Sequence, residues 1–160
     1  MRDTRTPTRR PLRRTLGSAA AAAALTAGLL GTAVTTAPAA QAAACTGTSG
    51  VTVVVDFTAL GGGIQTGCAP GDPATGLAAL TGAGFGYAFH PRFPGMVCRI
   101  NALPNPCNGA PATAYWSYWH AAHGGAWSYS TFGAGSHDPA PGDVEGWAFG
   151  AGAQPGITAP

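Results

Sequence analysis

Between Ala114 and Phe149 the chain reads AYWSYWHAAHGGAWSYSTFGAGSHDPAPGDVEGWAF. All four tryptophans fall in this stretch, Trp116, Trp119, Trp127 and Trp147, with Tyr115, Tyr118 and Tyr129 among them. Neighbouring residues of a strand point to opposite faces. The adjacent pairs Tyr115-Trp116 and Tyr118-Trp119 therefore make both faces of one strand aromatic. A small domain has one core to fill. The other face is either covered by a further layer or left for a ligand or a partner.

Charge narrows the partner. Arg2, Arg5, Arg9, Arg10, Arg13 and Arg14 are six of the eight basic residues. They precede an uncharged, Ala-rich stretch from Leu16 to Ala44 that ends in the small-residue sites Ala40-Gln41-Ala42 and Ala42-Ala43-Ala44. A basic region, an apolar region and an A-x-A site make an export signal, expected over residues 1–44. A membrane anchor is the competing reading, opposed by the Gly and Thr interruptions and by the cleavage site. Arg9-Arg10 leaves the twin-arginine and general secretion routes both open. Removal leaves roughly 116 to 118 residues, the size of one domain. In that portion Arg92 and Arg99 face Asp56, Asp72, Asp138, Asp143 and Glu145, two bases against five acids, for a formal charge of −3. The chain has no lysine. Nucleic acid, which needs a basic footprint, is excluded as a partner.

Four cysteines remain, Cys45, Cys68, Cys98 and Cys107. An exported chain with an even count reads as two disulfides. Of the three pairings, Cys45–Cys68 and Cys98–Cys107 is preferred, the first stapling the new N-terminus across the first strand and the second closing the Pro/Asn-rich turn after Ile100. Zinc is the weaker alternative, since no C-x-x-C pair exists. A lipid-bearing Cys45 is a third reading.

The elements follow from pattern. Gly50 to Phe57 is a strand with valines in succession, which places it centrally. Ile64 to Cys68 is a short edge strand. Asp72 is expected to cap a helix from Pro73 to Leu80 or Thr81, ended by Gly82. Ala83–Phe89 and Gly95–Ile100 read as strands. Ala112–Ala121 is the aromatic strand, Gly124-Gly125 its turn, and Ala126–Thr131 its hairpin partner. Val144–Phe149 is the last strand. Residues 151–160, rich in Gly, Ala and Pro, read as a flexible tail with no membrane anchor after it. One short helix among several strands over residues 45–150 makes a small β-rich α+β domain.

The pieces VTVVVDF, LGGG, CAPG, GLAAL, VCRI, AYWSYWHA, WSYS and PGDVEGWAF resemble a family of small secreted actinobacterial proteins. That family is in turn similar to the C-terminal domain of the cobalamin carriers transcobalamin and intrinsic factor. The resemblance covers Val51 to Phe149 and implies a β-grasp-like mixed sheet around one helix, with a corrinoid as the ligand. This chain lacks the carriers' large helical domain, so a corrinoid would be held from one side only.

Aromatic surfaces take planar or sugar-like ligands by stacking and by excluding water. The candidate ligand-binding residues are Tyr115, Trp116, Tyr118, Trp119, His120, His123, Trp127, Tyr129 and Trp147. Alternation places Trp116, Tyr118 and His120 on one face and Tyr115, Ser117 and Trp119 on the other. Each aromatic taken singly also suits a core that has few large aliphatic residues. His120 and His123 flank the hairpin turn and read as exposed turn residues or a corrin-cobalt ligand. Asp143 is expected to cap its turn. Arg99 is expected to pair with Asp56. No nucleophile elbow, acid–base carboxylate pair or phosphate loop is present. The sequence thus points to a secreted, monomeric, non-catalytic binding domain that needs no cofactor or metal. Its partner is a small ligand or, in the alternative, an envelope protein or wall glycan.

Overall fold

The valines of the first strand set the architecture. β1 (Gly50–Asp56) is buried along almost its whole length. Strands buried on both faces read as continuous apolar runs. The computed structural model describes residues 43–107 and 111–160, and the expected export segment lies outside them apart from its last two residues.

β1 pairs antiparallel with β2 (Ile64–Pro70), the sheet edge, and parallel with β7 (Asp143–Gly150). β7 pairs antiparallel with the aromatic strand β5 (Tyr115–Ala122), which in turn pairs with β6 (Ser128–Tyr129). The sheet order is β2-β1-β7-β5-β6. Two parallel central strands, each with an antiparallel outer neighbour and a helix on one face, make the β-grasp-like arrangement expected. A separate hairpin, β3 (Tyr87–His90) with β4 (Phe93–Ile100), forms a second sheet of two strands.

One face of the main sheet carries Val51, Val53, Val55, Trp116, Tyr118 and Trp147. It packs against Leu80 and Ala79 of the helix, Phe85, and Val97 and Ile100 of β4. The helix α1 runs Gly76–Gly82 rather than starting at Pro73. Its cap is Thr75, whose hydroxyl accepts the Ala78 N–H at 3.0 Å, not Asp72. Its first two amides donate outward, Gly76 N–H to the His137 carbonyl at 2.9 Å and Leu77 N–H to that of Ala134 at 3.1 Å. These long-range partners for otherwise orphan donors fix the helix start three residues later than local sequence suggests.

The other face carries Val54, Ala121 and Val144, with Trp127 and Ile64 packed against them. Its cover is the segment expected to be a flexible tail. Residues 151–160 have no regular secondary structure, yet Pro155 and Ala159 are buried. Gly156 N–H donates to Asp56 Oδ2 at 2.8 Å, and Ile157 O accepts the Trp127 indole N–H at 2.7 Å. Ala153 O accepts the Ser117 hydroxyl at 3.1 Å. Composition suggested flexibility because Gly, Ala and Pro form no periodic element. The same small residues lie flat on a sheet without displacing it.

Both disulfides are as expected, Cys45–Cys68 with Cα atoms 4.8 Å apart and Cys98–Cys107 with Cα atoms 5.7 Å apart. The first ties the N-terminal end of the described chain to the edge strand. Among the described residues no helix is long and apolar enough to cross a membrane. Asp56 does not pair with Arg99. Its carboxylate is taken by the Thr58 and Gly156 amides, both at 2.8 Å.

A candidate aromatic groove at the open edge of the sheet

β6 is only two residues long and pairs with Trp119 and His120. Beyond it, Ser130 N–H still donates to the Tyr118 carbonyl at 3.0 Å. The Ser130 hydroxyl then donates to the Phe132 carbonyl at 2.9 Å, turning the chain away. Among the described residues, the edge of β5 before Tyr118 is thereby left without a strand neighbour. A groove of about 330 Å³ occupies this place. Gly95, Met96 and Val97 of β4 bound it on one side and the segment from Tyr129 to Ala134 on the other. Tyr115, Trp116, Tyr118 and Trp147 complete the lining. Trp116, Tyr118 and Trp147 are buried and make its floor, while Met96, Tyr129 and Phe132 are exposed and make its rim, Phe132 at 63%. None of the lining residues carries a formal charge.

The floor is held by ring contacts. Trp116 meets Phe57 and Phe149 edge-on, with centroids 5.3 and 5.4 Å apart. Its indole N–H donates to the Leu103 carbonyl at 3.2 Å. Tyr118 lies on Trp147 at 4.8 Å, tilted by 36°. Such contacts add about 0.5–1.5 kcal/mol each beyond area burial. Rings locked this way present a preformed apolar surface.

Behind Tyr118 lies a buried acid. Glu145 is 0% exposed, and its Oε2 accepts the Tyr118 hydroxyl. Its Oε1 is 3.3 Å from His137 Nε2, close but not aligned for a hydrogen bond. His137 stacks on His120, with centroids 4.8 Å apart. A Cβ at Gly76 would collide with both the Tyr118 hydroxyl and the Glu145 carboxylate, so glycine is what lets α1 seat here. Burial pushes the Glu145 carboxyl up to about 8. His137 is held below its ordinary value by burial and by the neighbouring His120, against weaker opposing pulls from Asp143 and Asp138. Both shifts favour a neutral acid beside a neutral imidazole. The nearby 3.3 Å contact alone would suggest an ion pair. We favour the neutral description, because the contact is misaligned and the acid has no access to water.

Five of the nine candidate residues, Tyr115, Trp116, Tyr118, Tyr129 and Trp147, meet in the groove. The others do not. Trp119 lies on the opposite face, donating to Ser117 Oγ at 2.9 Å and meeting Tyr129 edge-on at 5.0 Å. Trp127 is under the C-terminal segment, where it borders a second cavity of about 520 Å³ with Gln154, Pro155 and Ile157. His120 turns to His137 rather than to His123, which is exposed in the turn. Asp143 does cap its turn, Oδ2 accepting the Ala140 N–H at 3.0 Å. Sequence reasoning missed Met96, Phe132 and Glu145. Period-two alternation from Trp147 reaches Glu145, and that signal was present in EGW. Nothing local marked Met96 or Phe132, because a tertiary turn brings them to β5. Among the described residues no cluster of three or more His, Cys, Asp or Glu side chains is placed to hold a metal ion.

Residues 108–159 match the model of a family described as the SCO2322-like domain. The chain is similar to that domain over β5, β6, β7 and residues 151–159 of the C-terminal segment packed on them. No curated protein and no solved structure matches the chain.

Proposed function

We propose that this chain is a secreted, non-catalytic binding domain whose groove at the edge of β5 takes an uncharged planar or sugar-like ring. The observation that carries this reading is the uncharged lining over a floor of Trp116, Tyr118 and Trp147. At about 330 Å³ the groove is at the small end of ligand pockets, which run from about 300 to 1,000 Å³. It suits one ring system or the edge of a larger ligand. A corrinoid, suggested by the family resemblance, would seat one edge there and leave its other side in solvent. The two disulfides and the basic, then apolar, then small-residue leader support export.

Equilibrium dialysis of the oxidised domain against cobalamin and cobinamide, with indole as a small fused-ring probe followed by NMR, tests the reading. Saturable indole shifts confined to groove residues support it. Their absence at millimolar indole removes it. Corrinoid retention without groove shifts would move the ligand elsewhere on the domain.

A second reading is an envelope module that docks a partner protein or a wall glycan. Phe89 and Phe93 are exposed on the same β3–β4 hairpin that supplies Met96 to the rim. Exposed aromatics on that hairpin, beyond the groove's own lining, are more than a small ligand needs. Retention of the domain on purified cell wall, abolished by Phe93→Ser, would favour it.

A further inference from the structure

Tyr118 has two roles at once. Its ring is part of the groove floor, and its hydroxyl ends on a buried carboxyl group. Resting on the reading of the groove given above, we propose that Glu145 is a positioning residue for ligand binding. It holds Tyr118 in the floor while the buried cluster is uncharged, and its ionisation in mild alkali releases the ligand.

The groups around Glu145 decide what ionisation does. From β5 it faces Tyr118 and its register partner His120, and from the loop before β7 it faces His137, on which His120 stacks. The helix brings only Gly76, and α1 carries no titratable side chain. The β1 residue beside Glu145 is Val53, and β1 is uncharged until Asp56 at its far end. Asp138 and Asp143 act on His137 and are negative themselves. No arginine faces the cluster among these elements. With its proton, Glu145 is neutral and its nearest base is His137 Nε2 at 3.3 Å. Without it, a buried anion stands beside the neutral His137 imidazole. Even with the Tyr118 hydroxyl donating to it, a buried anion of that kind draws in water or shifts towards it. The Tyr118 ring is drawn along with it, since its hydroxyl donates to the carboxylate and is held more tightly once that group is charged, and α1 blocks the other side at Gly76. The floor of the groove changes shape with it. By linkage, a ligand that needs the intact floor must also favour the protonated acid.

Indole serves as the probe because it stays uncharged across the range. Its affinity for the full domain is followed by NMR from pH 6 to 9.5, with the Tyr118 ring resonances and the Glu145 carboxyl carbon recorded in the same samples. The wild-type chain is expected to lose about tenfold in indole affinity across the Glu145 midpoint, equivalent to a one-unit shift of that midpoint on binding. The Tyr118 resonances are expected to move with the same midpoint. Glu145→Gln, which mimics the neutral acid, is expected to bind indole with one affinity throughout. Tyr118→Phe, which keeps the ring but cuts the link, is expected to lose the pH dependence while Glu145 still titrates. Tyr118 resonances that ignore the Glu145 titration overturn the proposal, and so does a pH profile unchanged in Glu145→Gln. If indole binds nowhere at any pH, the reading of the groove fails, and the Tyr118 resonances still decide whether Glu145 controls that ring.

Discussion

At the scale of single residues, the groove and the core share one strand, and substitutions separate them. Phe132 and Tyr129 stand at the exposed rim. Phe132→Ala is expected to abolish indole shifts while changing stability by less than about 0.5 kcal/mol, as surface substitutions do. Trp147 is in the floor and in the core. Its replacement by Ala is expected to cost about 3–5 kcal/mol, read by urea unfolding. Glu145 gives a pH signature. Its folded value of about 8 lies above the ordinary 4.5, so the folded chain binds more protons than the unfolded one between those limits. The stabilisation is full below pH 4.5 and is lost as pH rises towards 8. His137, depressed from 6.5, has the opposite sign: its stability contribution is lost as pH falls below 6.5. Urea midpoints measured from pH 4.5 to 8.5 are expected to show the decline in the wild type and not in Glu145→Gln, which retains only the shallower His137 trend. A Glu145→Gln curve that falls as steeply as the wild type would remove the buried acid as its cause.

At the scale of elements, the C-terminal segment behaves as a layer. Gly146 shows how it seats: a Cβ there would lie 2.6 Å from the Trp127 ring and 2.9 Å from Pro155. Glycine in β7 is therefore a socket for both. Ending the chain after Gly150 exposes the apolar patch around Val54 and Val144 and strips partners from Trp127, Ser117 and Asp56. The loss is expected to be at least about 2 kcal/mol from these hydrogen bonds alone, measured by chemical unfolding. An unchanged midpoint would mean that the segment rests on the sheet without stabilising it. Asp56 adds an acid-sensitive tie. Burial works to raise its carboxyl, but the hydrogen bonds from Thr58 and Gly156 outweigh this and hold it below 3.8. That stability is present above pH 3.8 and is lost as pH falls through the lowered value. The helix shows a similar dependence on what lies across from it. Gly76→Ala, normally favourable inside a helix, is expected to destabilise by about 1–3 kcal/mol because the added methyl meets Tyr118 and Glu145.

At the scale of the whole molecule, two disulfides add to a core with few large aliphatic residues. The Cys45–Cys68 bridge closes a separation of 23 residues and is expected to contribute about 2–4 kcal/mol. Cys45→Ser with Cys68→Ser should lower the urea midpoint accordingly. Much of the molecule was legible beforehand. Consecutive valines placed β1 at the centre, turn residues bounded the hairpins, and the position of the cysteines favoured the pairing observed. These are local or composition-level signals, and burial on both faces leaves them in the chain itself. The adjacent aromatics of β5 likewise required a second face that is either covered by a layer or left for a ligand or partner. What met that face was decided in three dimensions. A segment of Gly, Ala and Pro has no periodicity to announce that it will lie on a sheet. The brevity of β6, which opens the groove, depends on where Ser130 and Phe132 turn away. Glu145 becomes a buried acid only because β5, α1 and the loop before β7 close over it. Sequence alone determined the strands, their apolar faces and the demand that the second face meet a further layer, a ligand or a partner, since those follow from side-chain alternation. Only the tertiary structure decided which segment met that demand and which edge stayed open, because contacts between residues far apart in the chain leave no periodic trace along it.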